Sequence, residues 1–403
     1  MYHLAYSYKL KKKKGVTIAF LTANYFNDKI TEGHKILSDR IINVALKSTD
    51  WNVYVVSLEK SMNAKRDLLY QEIAPSLWDW FSSAVRTISF LNSANIDLIH
   101  ILAYNKVFPT LLDKIARVGR RSHKIIVHLY YHPNAFKDPK YKPIELLLKT
   151  KVFDMILATS SALKDFLLKE LDLSDGMIRV IPPMVPEEFF KFDYSSSRKL
   201  LPELRRIYGL TENDFVVSYI GHVIPQRGIF ELLSAFKEVS KFNPSLKLII
   251  SYPNIIFKDL SFDYLMLLRR IVEKYMLKEK VIIIGKQYLS KIYTISDMLF
   301  FGFSDVFYFT YPPLVICEAM AAGVPFVIKS SSLIRELFGN ESPVPVYRNI
   351  NELIDILRGI ANNQQNLVRI SKKVKSIAEK MFLPRSVITK LSDAYSVVLS
   401  NKV

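Results

Sequence analysis

Short apolar runs alternate with longer amphipathic stretches along the chain. Residues 16–22 are rich in β-branched side chains and end in a polar turn, as a buried strand does. Residues 34–48 have the spacing of an amphipathic helix. Further strand-like runs follow at residues 52–58, 97–103, 124–130, 154–160 and 178–183. Continuous apolar strands separated by helices predict a parallel sheet that is covered on both faces.

The same pattern starts again after a charged, proline-bearing stretch. Residues 186–214 contain no clear strand, and a linker is expected near 187–200. A second series of predicted strands then runs through 215–221, 246–252, 280–285, 297–303 and 324–330. The last apolar stretch, 386–399, has the pattern of an amphipathic helix. The chain is therefore expected to form two α/β domains, 1–190 and 191–382, followed by a final helical segment.

The composition of the chain limits the kinds of partner that it could bind. The 403 residues are half hydrophobic and carry a formal net charge of +18, which suits nucleic acid, an anionic membrane surface or a phosphorylated small molecule. A single cysteine, Cys317, excludes a disulfide within the chain and a cysteine metal cluster. The basic N-terminus does not resemble a signal peptide, and the apolar runs are shorter than the ~18 residues of a spanning helix.

The segment 219–236 joins the end of a predicted strand to a predicted helix through a turn that holds His222 and Arg227. In an open α/β sheet, ligands bind at the carboxyl ends of the strands. Cationic side chains there, beside a helix N-terminus, suit a diphosphate. The alternative is that Arg227 is an exposed loop charge.

The segment 310–327 has Pro312 and Pro313 directly ahead of a predicted helix that Gly323 closes. Glu318 lies in the middle of that helix among small apolar residues. A carboxylate in such surroundings requires a partner, and a ribose diol would satisfy it through two hydrogen bonds. A surface-facing glutamate or an internal salt bridge is the alternative.

Together these segments resemble the retaining GT-B glycosyltransferases of family four. Gly221-His222 and Arg227-Gly228 stand where that family has Gly-Arg and Lys-Gly, and the run 318–325 matches the end of its E-x7-E motif. Tyr293 and Asp297 match the family's tyrosine and aspartate between the two motifs. The resemblance is specific over 215–327 and weaker over the N-terminal half, where 97–100, 153–167 and 180–190 carry it.

The resemblance implies two Rossmann-like, doubly wound α/β domains of the GT-B architecture, facing each other across a cleft. Residues 1–190 would be the acceptor-side domain and 191–382 the nucleotide-sugar-binding domain. Residues 383–403 would form a helix that packs back on the first domain.

The resemblance also implies transfer of a sugar from a nucleotide-sugar donor, such as a UDP- or GDP-sugar, to a glycan or lipid-linked acceptor. The transfer would retain the anomeric configuration and use neither a metal nor a cofactor. Arg227 would stabilise the leaving diphosphate, and Glu318 would hold the donor ribose. The remaining expected donor-binding positions are Gly33, Gly221, His222, Thr310 and the amides of Leu314 and Val315.

In this family a histidine of the first domain lies near the anomeric carbon. His132 follows the fourth predicted strand and is the candidate, so His132 and Arg227 are the expected catalytic residues. His128 is expected inside the strand. Either histidine could instead be an ordinary packing residue.

Three departures from the family pattern affect the sugar and phosphate side of the site. Thr310 replaces the first glutamate of E-x7-E, and Tyr-Pro-Pro at 311–313 replaces a Gly-Phe-Gly type loop that supplies backbone donors. Ser251 and Tyr252 stand where a glycine normally ends the strand. These changes predict an altered donor preference, with lost activity as the second option.

The sequence indicates less about the acceptor than about the donor. Residues 60–91 mix basic side chains with Trp78 and Trp80, and with the lysines at 11–14 they favour contact with an anionic membrane surface. The alternative is that the tryptophans face the core. The expected location is the cytoplasm, either free or on the inner face of the cell membrane.

Three other functions stay open at this stage. A nucleotide-sugar epimerase of the same fold would share the nucleotide site, and a non-catalytic binding protein would explain the departures at 310–313. Specific nucleic-acid binding is suggested by charge alone, because no zinc spacing or RNA-binding motif accompanies it.

Overall fold

A computed structural model describes residues 15–22, 33–48, 50–57, 70–72, 89–91, 93–102, 123–150, 152–192, 194, 201–253, 260–285, 289–303, 310–361 and 364–400. They form two compact units. The first unit falls within Met1–Met184, Phe307–Pro312 and Pro384–Val403, and the second within Val185–Val306 and Pro313–Leu383.

The first unit is built on a seven-stranded sheet. Its strands are β1 (Val16–Thr22), β2 (Trp51–Ser57), β3 (Tyr70–Glu72), β4 (Leu98–Ile101), β5 (Lys124–Leu129), β6 (Met155–Ala158) and β7 (Ile178–Val180). The order is β3-β2-β1-β4-β5-β6-β7, and each pairing is parallel. The helices described between these strands are α1 (Gly33–Lys47), α2 (Lys142–Lys149) and α3 (Ser161–Glu170).

The second unit is built on a six-stranded parallel sheet in the order β10-β9-β8-β11-β12-β13. Its strands are β8 (Phe215–Ile220), β9 (Leu246–Ser251), β10 (Val281–Ile284), β11 (Met298–Phe301), β12 (Phe326–Lys329) and β13 (Val346–Tyr347). Its helices are α4 (Glu187–Phe190), α5 (Leu201–Ile207), α6 (Ile229–Ser240), α7 (Leu260–Lys274), α8 (Leu289–Ile295), α9 (Leu314–Ala321), α10 (Ser332–Phe338), α11 (Ile350–Ala361) and α12 (Gln364–Phe382).

The central strands are buried along their whole length, which confirms the prediction from their continuous apolar runs. Every residue of β4, β6, β8 and β11 is buried. A strand that is covered by helices on both faces needs apolar side chains at each position rather than at alternate ones. The two short edge strands β3 and β13 were not predicted, because two or three residues are too few to show a pattern.

The last helix, α13 (Pro384–Ser400), groups with the first unit. Its Tyr395 hydroxyl lies 2.6 Å from Nδ1 of His100 on β4. Thr310, Tyr311 and Pro312 also group with the first unit, although they lie in the range 191–382 that was predicted for the nucleotide-binding domain. The reason is strand pairing, since Thr310 forms an antiparallel bridge with Tyr131, just beyond β5.

Part of the expected membrane-facing surface lies outside the described residues, namely 11–14, 60–69 and 73–88. Within 60–91, the backbone of Tyr70–Glu72 forms the edge strand β3, which pairs with β2. Among the helices of the described part of the chain, we find no helix with the length and apolarity needed to span a membrane.

Candidate functional site

The strand order of the second sheet fixes where a ligand would bind. From β8 the chain runs outward through β9 and β10, then returns to place β11 on the other side of β8. The neighbouring strands β8 and β11 therefore form the switch point of the sheet, and the crevice at their carboxyl ends is the usual ligand position in open α/β sheets. The turn that holds His222 and Arg227 directly follows β8.

Arg227 is held against Gly221, the residue that follows β8. Gly221 has φ +140°, and a Cβ atom built on it would lie 2.2 Å from Nη1 of Arg227. Any side chain at position 221 would therefore displace the guanidinium. Arg227 is half-buried, so the exposed loop charge considered above is wrong.

A second pair of glycines lets the turn approach the neighbouring strand. Gly228 has φ +72°, and a Cβ on it would lie 2.8 Å from the backbone of Gly302, which follows β11. The next residue, Phe303, places its ring 5.3 Å from Cζ of Arg227. The cation therefore lies between the ends of both switch-point strands and stacks on an aromatic face.

Burial affects the ionisable groups of this turn. It lowers the pKa of the Arg227 guanidinium, although arginine stays a cation at neutral pH. Burial raises the pKa of Tyr219, so this phenol keeps its proton. The Tyr219 hydroxyl donates to the carbonyl oxygen of His222, and this bond holds the turn over the end of β8.

Helix α9 supplies the second group of expected donor contacts. Pro313 is its N-cap, without a capping side chain, and Leu314 and Val315 are its first residues. Glu318, in the middle of α9, is 4 % exposed, so the surface-facing alternative is wrong. Gly323, with φ +66°, follows the helix end as expected. The Tyr293 hydroxyl donates to the carbonyl of Val315 at 3.3 Å and fixes the first turn.

The end of β9 lies beside Gly221. The amide of Gly221 donates to the carbonyl of Ser251 at 2.9 Å, and the amide of Tyr252 donates to Ile284 at 3.1 Å. Tyr252 is half-buried. A tyrosine therefore replaces the expected glycine directly beside the turn that carries Arg227.

Three expected site residues belong to the first unit. His132 is 6 % exposed, and its Nδ1 accepts a hydrogen bond from the amide of Asn134 at 3.1 Å. Thr310 pairs with Tyr131, the neighbour of His132, so the structure brings His132 and Thr310 into one local cluster. Gly33 is the first residue of α1. His128 lies inside β5, as expected.

Gly221, His222, Arg227, Leu314, Val315 and Glu318 belong to the second unit. Within it, Gly221, His222 and Arg227 come together in one turn. The sequence analysis did not predict that Tyr219, Phe303 and Tyr311 contact candidate site residues. Their partners are His222, Arg227 and His132, respectively. Their sequence signal was weak, since each is one aromatic residue among many in or beside apolar strands.

Asp297 has a structural role in the second sheet. Its carboxylate lies at the start of β11, at the opposite end of the strand from Gly302 and Phe303, and accepts from the amide of Val216 at 2.7 Å and from Arg205 at 3.0 Å. It therefore ties two strand beginnings together. Within the described residues, no group of three or more histidine, cysteine, aspartate or glutamate side chains could hold a metal ion.

Comparison with solved structures identifies the class of this architecture as the GT-B fold of glycosyltransferases. Alr3699/HepE of Anabaena, solved in complex with UDP, superposes with a TM-score of 0.75 at 18 % identity, covering 94 % of this chain and 100 % of that one. A glycosyltransferase from Rickettsia africae superposes with a TM-score of 0.73 at 15 % identity, covering 97 % and 100 % of the two chains.

Sequence comparison then finds similarity to one family model and to one characterised relative. Residues 202–377 match the family model described as Glycosyl transferases group 1. The UDP-Gal:alpha-D-GlcNAc-diphosphoundecaprenol alpha-1,3-galactosyltransferase of Escherichia coli is 24 % identical over 268 residues. The matched region is 62 % of this chain and spans 61 % of that relative's length.

Proposed function

We propose that this protein is a glycosyltransferase that moves a hexose from a UDP-sugar to a lipid-linked glycan acceptor. The observation that carries the proposal is the half-buried Arg227, held against Gly221 at the switch point of a group 1 domain. The choice of UDP rests on the complex of the Anabaena neighbour. The acceptor class rests on the name of the Escherichia coli relative, whose acceptor is a sugar on diphosphoundecaprenol.

In this proposal the second unit binds the donor and stabilises the leaving group. Negative charge grows on the diphosphate as the glycosidic bond breaks, and the guanidinium of Arg227 is already in place to neutralise it. The amides of Leu314 and Val315, at the positive end of α9, add hydrogen bonds to phosphate oxygens. Glu318 accepts from the ribose hydroxyls, and His222 and Gly221 line the turn. Because Arg227 supplies the positive charge for the leaving diphosphate, the proposed reaction needs no metal ion. Retention of the anomeric configuration is proposed from the family resemblance alone.

His132 acts on the sugar side in this proposal, with Gly33 and Thr310 as neighbouring contacts. Because Nδ1 of His132 accepts the Asn134 amide, the neutral ring carries its proton on Nε2. His132 therefore acts as a hydrogen-bond donor to the reacting sugar.

The first test is calorimetric titration of the protein with UDP and with GDP. We expect UDP to bind, and Arg227→Ala and Glu318→Ala each to weaken binding by about tenfold or more, the value of a charge-assisted hydrogen bond. Arg348→Ala and Glu273→Ala are matched controls at exposed positions of the same unit and should leave binding unchanged. Unchanged UDP binding in both Arg227→Ala and Glu318→Ala would show that the donor does not bind at this position.

The second test measures transfer. Purified protein is incubated with UDP-galactose or UDP-glucose and a diphosphate-linked N-acetylglucosamine lipid, with EDTA in a parallel reaction. We expect an acceptor-dependent product with the same anomeric configuration as the donor, and equal rates with EDTA. Conversion of the nucleotide sugar without acceptor would identify an epimerase, and loss of activity in EDTA would contradict the metal-independent mechanism.

A non-catalytic role is the second candidate, and one observation favours it. Thr310 stands in place of the family's first glutamate, and Pro312 and Pro313 lack the amides that a glycine loop would offer. A non-catalytic protein would bind UDP, and Arg227→Ala would weaken that binding. It would nevertheless transfer no sugar from any donor to any acceptor in the second test.

A lipid-linked acceptor places the substrate at a membrane, and the net charge of +18 would attract an anionic surface. We therefore propose peripheral binding. Vesicles with anionic lipid should sediment the protein at low salt, with release at higher ionic strength, and neutral vesicles should not. Binding to neutral vesicles alone would contradict an electrostatic attachment.

A further inference from the structure

A row of three residues crosses the ends of β8, β9 and β10. The last residues of these strands are paired in register, so Tyr252, which follows β9, lies between Gly221 and Gly285. The backbone hydrogen bonds that the amides of Gly221 and Tyr252 donate continue the ladder into this row. Side chains in one row point to the same side of a sheet, and neighbouring strands lie about 4.8 Å apart. Both neighbours of the Tyr252 side chain in the row are therefore glycines.

The ring of Tyr252 combines a packed side with an open side. It is half-buried and packs against the hydrophobic core of the second unit. Among the described residues, no atom lies within 4 Å of a Cβ built on Gly285, the next position in the row. A fixed aromatic ring with space beside it thus stands at the carboxyl edge of the sheet, where ligands of open α/β folds bind.

The other direction from Arg227 is filled by the protein itself. On the β11 side, Gly228 approaches Gly302 so closely that a Cβ on Gly228 would lie 2.8 Å from the Gly302 backbone. The ring of Phe303 then lies 5.3 Å from Cζ of Arg227. A ligand whose phosphates lie at Arg227 therefore extends over the ends of β9 and β10, past Tyr252.

We propose that the ring of Tyr252 stacks on the base of the donor nucleotide. The inference rests on the proposed function, in which the diphosphate of a UDP-sugar binds at Arg227. Arg227 is held against Gly221, so the ring lies about one strand spacing from the phosphate position, and the ribose bridges that gap. Every nucleobase has a π-face, so this contact favours nucleoside diphosphates over phosphates without a base and discriminates little among bases.

The stacking gives a function to a departure from the family pattern. Tyr252 stands where the family has a glycine, and Pro312 and Pro313 lack amides that could bind phosphate oxygens. Binding free energy that is lost on the phosphate side of the site is recovered at the base.

The test compares a ligand that has a base with one that lacks it. Calorimetry measures UDP directly, and inorganic pyrophosphate by its displacement of UDP. Tyr252→Leu should weaken UDP binding by about tenfold, the contribution of one base stacked on an aromatic ring. Tyr252→Phe keeps the ring and should bind UDP as the unaltered protein does. Pyrophosphate affinity should be equal in all three proteins, and a parallel loss of UDP and pyrophosphate affinity in Tyr252→Leu would overturn the inference.

Tyr275→Leu is the matched control for lost packing. Tyr275 is also half-buried and packs on the same core, with Nζ of Lys237 4.4 Å from its ring centroid. It lies between α7 and β10, at the opposite edge of the sheet from Tyr252. Its replacement should lower the melting temperature and leave UDP affinity unchanged. Equal losses of UDP affinity in Tyr275→Leu and Tyr252→Leu would assign the effect to packing and contradict stacking.

A spectroscopic readout reports the stack itself. The fluorine of 5-fluoro-UDP lies on the base, and a stacked aromatic ring shifts its ¹⁹F resonance upfield through the ring current. The shift should appear on saturation of the unaltered protein and of Tyr252→Phe, and should be lost in saturated Tyr252→Leu. The same bound shift in Tyr252→Leu and in the unaltered protein would show that the ring does not stack on the base.

Failure of the proposed donor site has a different pattern. Absence of UDP binding, or unchanged UDP binding in Arg227→Ala, would contradict the donor site and the stacking together. If Arg227→Ala weakens both UDP and pyrophosphate while Tyr252→Leu weakens neither, the donor site stands and the role of Tyr252 is overturned.

Discussion

At the scale of single residues, Gly221 decides where the candidate cation can lie. Its φ of +140° is rarely accessible to other residues, and its missing side chain leaves the space that Nη1 of Arg227 fills. The backbone conformation and the cation position are thus set by one residue. Another part of the pocket for the guanidinium comes from Phe303, which follows a different strand.

This geometry predicts the effect of Gly221→Ala. The new methyl group would displace the guanidinium and force a strained backbone, so UDP affinity should fall by at least tenfold and stability by about 1–3 kcal/mol. Calorimetry and urea unfolding measure the two effects. Gly176→Ala is the control, because a Cβ there has open space around it. Normal UDP affinity in Gly221→Ala would show that Arg227 does not need this position.

At the scale of elements, a buried ion pair fixes the beginning of the second unit. Arg205 on α5 is 4 % exposed and Asp297 before β11 is 1 % exposed. Arg205 donates to the Asp297 carboxylate at 3.0 Å and to the carbonyls of Thr211 and Asp214 at 3.1 and 2.9 Å. One guanidinium therefore ties α5, the turn before β8 and the start of β11 together.

Removal of one partner from a buried pair leaves an uncompensated charge. Arg205→Met should therefore lower the free energy of unfolding by about 3–5 kcal/mol, as measured by urea denaturation. The exposed pair Lys278–Glu273 is the matched control, and Glu273→Gln should cost no more than about 1 kcal/mol. A small effect in Arg205→Met would mean that water replaces the arginine, and that the pair does not organise these elements.

At the scale of the whole molecule, a buried polar cluster connects the last helix to the first sheet. His100 on β4 hydrogen-bonds Tyr395 on α13, and its ring stacks on His128 of β5 at 5.5 Å. The groups around the two histidines are Phe20, Ser38, Trp51, Tyr130 and Tyr395. Burial lowers the pKa of His128 to about 3, and burial also holds the pKa of His100 well below its ordinary value.

These pKa values predict acid sensitivity of the first unit. The unfolded chain binds protons on both histidines as the pH falls below 6.5, while the folded chain resists protonation down to about 3 at His128. Stability from this cluster is therefore present above pH 6.5 and is lost as the pH falls toward 3. Tryptophan fluorescence reports this unfolding, because Trp51 on β2 packs on Tyr395 of α13.

His128→Phe keeps an aromatic ring and removes the titrating group. Its urea midpoint should fall less between pH 7 and pH 4 than that of the unaltered protein. His34→Phe, on the half-exposed side of α1, is the control and should keep the original pH dependence. Identical slopes in His128→Phe and the unaltered protein would place the acid sensitivity in other groups.

The sequence by itself determined the architecture. Strands covered on both faces need continuous apolar runs, and such runs are visible locally, so the main strands and the two-unit plan were predictable. The turn of Gly221 and Arg227 and the helix of Glu318 were also predictable, because each is a short, contiguous segment with its own turn or capping residues.

Only the tertiary structure decided which distant residues meet. Thr310 and Tyr311 pair with the end of β5, Phe303 covers Arg227, and Asp297 binds Arg205. Each of these contacts joins residues that are far apart along the chain, and the contact of Phe303 with Arg227 also depends on the close approach of Gly228 to Gly302. Local patterns report burial and turns, whereas the partners of a buried cation or of an aromatic ring are set by packing.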